Sequence, residues 1–160
     1  MAAPAGQYYL NGKDLYLIFG VVLQKGSTND FLKFPDRKDS IEHDWQDSNG
    51  IDVDLSRVFL KSKDVELKCI LFGNSFADYW SKYDHFFAEL TAPGLKRFQI
   101  SEFERSFFIY YKSSSSPNRY TRLQDASKIV FEFNIVVTEQ EPIVTKDVFL
   151  VTEDGRFIIT

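Results

Sequence analysis

The groups able to do chemistry are few and scattered. The chain has two histidines, His43 and His85, and one cysteine, Cys69. A zinc site draws its ligands mainly from closely spaced Cys and His, and this sequence does not supply them. His85 has Asp84 and Glu89 near it in sequence, but no serine or cysteine stands in a G-x-S-x-G turn, the elbow that presents a hydrolytic nucleophile. The densest polar group runs from Asp44 through Asp47, Asn49, Gly50 and Asp52 to Asp54, with the composition of a calcium loop. With Gly50 at the sixth loop position, the first would be Trp45 and the twelfth Ser56, where an EF-hand needs carboxylates. The segment therefore reads as a solvated turn. Glu102 and Glu104, two apart, read as the wet face of a strand rather than a glycosidase pair. Neither of the glycine-rich loops that cradle nucleotide phosphates occurs. The expectation is a protein that is not an enzyme and uses no metal and no cofactor.

Composition bounds the rest. At 160 residues, with 44% hydrophobic and 16% aromatic side chains, the chain suits one domain with a single core. A net charge of -4 and a pI near 5.2 argue against a duplex-DNA groove binder. The basic residues Lys96, Arg97, Arg105, Lys112, Arg119 and Arg122 form a mild cluster, interrupted by Glu102 and Glu104, and read as a solvated face. Cys69 lies in an apolar run and is expected to be a packed, inert thiol in a reducing compartment. The N-terminus does not read as a signal peptide, and no apolar segment approaches the roughly 20 residues that cross a bilayer. A soluble protein made in the cytoplasm is expected.

The elements that must position any site are mostly strands. Residues 8–10 and 15–23 flank Asn11-Gly12, a dipeptide suited to the positive φ of a tight hairpin turn. Phe31, Leu32 and Phe34 read as a strand ended by Pro35. Residues 41–45 and 51–55 alternate with period two around the Asn49-Gly50 turn and read as half-buried strands, Ile51, Val53 and Leu55 sharing a face. Residues 65–73 form a candidate central strand. Residues 75–90 are the one convincing helix: Phe76, Tyr79, Trp80, Tyr83, Phe86, Phe87 and Leu90 recur every three or four positions, Ser75 and Asp78 suit a capping box, and Pro93-Gly94 stops it. That stripe reads as core. Beyond it, Phe107, Ile109 and Tyr111 oppose Phe108 and Tyr110, a strand expected to be covered on both faces. Residues 113–118, four serines followed by Pro-Asn, read as a flexible loop. Residues 120–123 are placed as the start of a return strand, and residues 128–138 as the strongest strand of the chain, with Ile129, Phe131, Phe133, Ile135 and Val137 on one face.

After Pro142, residues 148–151 and 156–159 flank an Asp-Gly turn and read as a hairpin. A lone hairpin is marginal in water, so it must pack either on its own domain or on a neighbouring subunit. The expected class is mainly β (α+β): a small β-barrel or split β-sandwich with one flanking amphipathic helix and a C-terminal hairpin. The organisation is one β domain over residues 1–140 and a spacer and hairpin arm over residues 141–160.

This order of elements resembles the tail-tube and distal-tail family of bacteriophages over about residues 8–140: the Asn-Gly hairpin, the strand-turn-strand about Asn49-Gly50, residues 66–72 feeding the aromatic helix, and the strand ending in Tyr110-Tyr111. The resemblance implies a structural component of a phage or prophage tail that self-assembles into a ring, commonly six-fold, around the channel through which DNA passes without specific binding. Partners would be further copies of the chain and other tail proteins, not a membrane, and the location would be the virion after synthesis in the host cytoplasm. The mild acidity suits a lumen that repels phosphate. Full-length distal tail proteins carry a second, carbohydrate-binding-like domain that this sequence lacks, which favours a ring-forming part over receptor binding. Candidate subunit-interface residues are Asn49, Gly50, Ser114, Ser115, Pro117, Phe149, Val151, Phe157 and Ile159. The rival reading is a monomeric β-sandwich that binds a small ligand, sugar or peptide through Trp45, Trp80, Tyr110, Tyr111 and Tyr120.

Overall fold

The computed structural model describes residues 5–47, 49–119, 128–141, 150–151 and 157–158. The chain runs β1 (Tyr8–Leu10), β2 (Lys13–Asp14), α1 (Leu15–Phe19), β3 (Val21–Leu23), β4 (Glu42–His43), β5 (Asp52–Val53), β6 (Lys63–Gly73), α2 (Phe76–Thr91), β7 (Lys96–Ile100), β8 (Arg105–Arg119), β9 (Ile129–Glu139), β10 (Leu150–Val151) and β11 (Phe157–Ile158). Seven strands form one antiparallel sheet in the order β2-β1-β7-β8-β9-β6-β3. The mainly β, α+β class expected from the sequence is the one observed.

The connection between the two edge strands dictates the sheet's shape. β2 and β3 lie at opposite edges, yet only α1 and Gly20 separate them in sequence. Seven strands laid flat would set their edges about 29 Å apart at roughly 4.8 Å per interval. The five residues of α1 rise only about 8 Å. The sheet must curl, and it does, into a half-barrel whose open seam α1 spans. Asp14 caps α1 by accepting from the Tyr16 and Leu17 amides at 2.9 and 2.8 Å, and also accepts from the Gly6 amide. Gly20 ends it in the left-handed region at φ 66. Residues 15–19 are thus helix rather than the strand expected, because capping chemistry sits at both ends of that run.

The core fills the concave face. Val65, Leu67, Cys69 and Leu71 of β6 stand beside Ile129, Phe133, Ile135 and Val137 of β9, and Phe107 and Ile109 of β8, all buried. α2 covers them with Tyr79, Phe86 and Leu90; Tyr83 and Phe87 are half-buried. Ser75 accepts from the Asp78 amide at 3.1 Å, as a cap should, while Asp78 accepts from the amide of Asn74 rather than Ser75. The stripe is only partly core: Phe76 and Trp80, at its edge, are exposed. Gly73 is required where β6 turns into α2, since a Cβ there would lie 2.6 Å from the Cβ of Tyr79 and 2.9 Å from its amide nitrogen. Glu89 ties the far end of α2 to the first hairpin, accepting from Asn11 and Lys13 at 2.7 and 2.8 Å. In that hairpin Asn11 and Gly12 take the positive φ expected of them. Cys69 is buried and its thiol is pushed up by burial alone.

Three further expectations are corrected. Residues 29–32 form a 3-10 turn instead of a strand, and only Phe31 is buried, stacked on Phe98 at 5.5 Å and tilted against Phe107 at 4.4 Å. β8 is covered on one face only: Phe108 and Tyr110 are exposed. Ser113 to Asn118 are strand, not loop, because β8 continues along β9 through two register shifts, pairing Ser114 with Ile135 and Ser115 with Asn134. β10 and β11 pair as the expected terminal hairpin, Leu150 with Ile158 and Val151 with Phe157.

Candidate functional site

Two surface features stand out from the half-barrel. The first is an arm. Between β3 and β6 the chain leaves the sheet and returns as an irregular two-stranded ribbon, held by Lys61 N to Asp36 O and Lys38 N to Phe59 O (both 2.8 Å), the Arg37–Leu60 bridge, Asp54 N to Ile41 O (3.0 Å), and the β4–β5 pairing. From Asp36 to His43 it extends on the order of 25 Å at about 3.3 Å per residue. The ribbon carries apolar side chains that pack on no core: Phe34, Ile41, Trp45, Ile51, Leu55, Val58 and Phe59 are all more than half exposed, Ile41 at 80%. The half-buried strands expected at residues 41–45 and 51–55 are therefore largely exposed, Val53 alone being half-buried; the period-two pattern is there, but none of the described residues buries it. Asn49 and Gly50 occupy the exposed tip, Gly50 at φ 85. His43 sits on β4 with its ring 3.9 Å from that of Trp45.

The root of the arm is fixed. Lys63, the first residue of β6, donates its Nζ protons to the carbonyls of Phe31 and Lys33, both at 3.0 Å, and pairs with Glu139 Oε2 at 3.1 Å. Both charged side chains are largely buried, 10% and 5% exposed. One ammonium thus joins the outgoing chain, the returning chain and the last residue of β9.

The second feature is a cleft of 200 Å³ between α2 and the strands β8 and β9, lined by Tyr79, Trp80, Tyr83, Phe87, Phe131 and Phe133 with Ser114, Ser115 and Pro117 at its border. Tyr79 and Tyr83 stack at 6.0 Å, one turn apart on α2, and the Trp80 ring lies nearly perpendicular to both, at 5.2 and 5.5 Å. Burial, then the nearby Tyr83 phenol, pushes the Tyr79 hydroxyl up to about 12.

These two features sort the residues singled out from sequence. Ser114, Ser115 and Pro117 come together at the cleft border; Asn49 and Gly50 lie on the arm tip. Val151 and Phe157 pair across the terminal hairpin, and Phe149 and Ile159 lie outside the described residues. Of the aromatic set, Trp80 lines the cleft, Tyr111 packs perpendicular to Phe87 at 5.9 Å, Tyr110 is exposed on β8 beside Tyr111, Trp45 is on the arm, and Tyr120 lies outside the described residues. The cleft itself was not legible beforehand, because it depends on the serine segment being strand. His85 packs its ring on Phe19 at 5.0 Å. Among the described residues no group of three His, Cys, Asp or Glu is placed to hold a metal ion, and no helix is long and apolar enough to cross a membrane.

No protein-family model matches the sequence, and neither does any curated protein. Among solved structures the chain is similar to the SPP1 Dit protein (gp 19.1), described as a paradigm of the hub adsorption apparatus in phages that infect Gram-positive bacteria, with a TM-score of 0.51 and 13% identity. The match covers 81% of this chain and 48% of that one, so the chain spans about half the length of its neighbour. At that identity the likeness is one of fold: a curled antiparallel sheet with one main helix packed on it is shared with a phage tail-hub protein.

Proposed function

We propose that the protein is a non-catalytic structural subunit of a phage or prophage tail, of the distal or tube-like kind, and that copies of it assemble into a ring around the DNA channel, with six-fold symmetry as the family resemblance implies. The observation that carries this reading is the arm. A two-stranded ribbon does not hold itself together in water, and one that exposes a series of apolar side chains marks a surface that is covered in the working state. A second copy is the simplest cover, since a contact repeated head to tail either closes into a ring or stacks into a tube. The fold likeness to a tail-hub protein supports the same reading. The partners are then further copies and adjoining tail proteins, the place is the virion, and the net charge of -4 suits a channel that repels phosphate.

The test is solution mass by light scattering across a wide concentration range, with electron microscopy of the largest species. The expected result is a concentration-dependent oligomer of ring form that is lost in the triple variant Ile41→Ser, Ile51→Ser, Leu55→Ser while the monomer stays folded. A strict monomer at every concentration, or a ring unaffected by the arm substitutions, counts against it.

A further inference from the structure

The aromatic cleft shares no lining residue with the arm, and its chemistry selects an occupant. Trp80 belongs to the same helical stripe as the core aromatics, yet it is 53% exposed. Its near-perpendicular contacts to Tyr79 and Tyr83 brace the indole as a flat plate at the cleft wall. The hydroxyls of Tyr79, Tyr83 and Ser114 have no hydrogen-bond partner among the described residues, although all three side chains line the cleft. The carboxylate of Glu132, at the border, is taken up by the Gln24 amide. A volume of 200 Å³ lies below the roughly 300–1,000 Å³ typical of drug-sized ligands, which restricts the occupant to one ring-sized group.

We infer that this cleft binds a single pyranose ring, its C–H face laid on the indole of Trp80 and its hydroxyls bonded to Tyr79, Tyr83 and Ser114. A sugar is amphipathic in the way the site is: one face is apolar enough to stack on an aromatic plate, and the rim both donates and accepts. An apolar side chain from another copy would satisfy the rings and leave the hydroxyls unpaired. The inference rests on the monomer's own residues and is independent of ring assembly.

The experiment uses the full chain with Trp45→Phe, which leaves Trp80 as the sole tryptophan of the two in the sequence. Its emission is followed during titration with glucose, galactose and N-acetylglucosamine, with glycerol as the polyol control. The expected result is a saturable shift with at least one pyranose and none with glycerol. Tyr83→Phe and Ser114→Ala, which keep the ring and the strand, should each weaken binding about 2- to 12-fold, the loss of one hydrogen bond. No saturable shift with any of the three sugars, or an equal shift with glycerol, overturns the inference. So does emission that changes with protein concentration and ignores sugar, which would place a neighbouring copy in the cleft. Circular dichroism on each variant separates lost binding from lost folding, and light scattering reads assembly separately.

Discussion

Replacing Lys63 with methionine is the sharpest probe of how the arm is rooted. The substitution keeps the apolar stem of the side chain and removes the ammonium, leaving Glu139, whose side chain is 5% exposed, as a buried carboxylate without its partner. Breaking one side of such a pair costs about 3–5 kcal/mol, more than an exposed ion pair is ever worth. The carbonyls of Phe31 and Lys33 lose a charged donor as well, but they can turn to water, so the larger figure need not be exceeded. For a domain of this size, about 1 kcal/mol moves Tm by about 2–4 °C, and the expected fall is on the order of 6–20 °C. The double variant Lys63→Met, Glu139→Leu removes both charges, and should recover most of the loss, because two apolar groups of similar volume do not repeat the desolvation problem. Thermal unfolding by circular dichroism gives the stability. Amide exchange at Phe31 and Lys33 reports whether the arm root loosens before the sheet does. A Lys63→Met variant within about 1 kcal/mol of the parent, or a double variant no better than the single, would refute the view that a buried ion pair holds the arm's exit.

Gly73→Ala should destabilise by about 1–3 kcal/mol, since its Cβ meets backbone that cannot yield without shifting α2; a melt unchanged from the parent would mean that the turn has slack. Asp14→Ala removes the N-cap of α1 and should cost about 0.5–2 kcal/mol, seen as faster amide exchange at Tyr16 and Leu17. Asp64, hydrogen-bonded by Lys112 and Thr138, and Glu89, held by Lys13 and Asn11, both have carboxyls below the ordinary range. A depressed folded value contributes stability above the unfolded value and loses it as pH falls through the folded one. Stability should therefore drop below about pH 4, and Asp64→Asn with Glu89→Gln should flatten that acid limb in urea melts. Ending the chain at Pro142 should weaken self-association and spare the cooperative melt if the terminal hairpin serves a neighbour; loss of the melt would assign it to the core.

What could be read from the sequence was whatever repeats with a period. β6 and β9 alternate over a long run, so their buried faces were legible, although β6, expected to be central, lies beside the edge strand β3 and β8 takes the middle; α2 was legible from its 3.6-residue spacing and its serine cap. α1 is too short to show a period; only Asp14 and Gly20 mark it, at the ends of an apolar run that reads as strand. The serines of β8 have no strand propensity to speak of, and become strand because β9 offers a partner, a tertiary effect no local pattern contains. The cleft was hidden for the same reason. Trp80 is about 100° around the helix from Tyr79, so it belongs to the stripe in a helical projection and falls outside it once the width of the sheet beneath is known.

The arm exposes the limit of periodicity most clearly, and also its use. Alternation at Ile51, Val53 and Leu55 states that one face is to be buried; it does not say by what. In the monomer Ile51 and Leu55 face solvent, so pattern and structure disagree, and the disagreement has a direction. A sequence that keeps apolar residues at alternating positions on a thin ribbon carries an apolar face that the described residues leave open, and under the proposed assembly a second copy covers it. If the cover is a second copy, amide protection at Asp52 and Val53 should rise with protein concentration in step with the light-scattering mass, while protection in β6 and β9 stays constant. If protection in the arm is already complete in the dilute monomer, the ribbon is stable alone and the case for assembly through it fails.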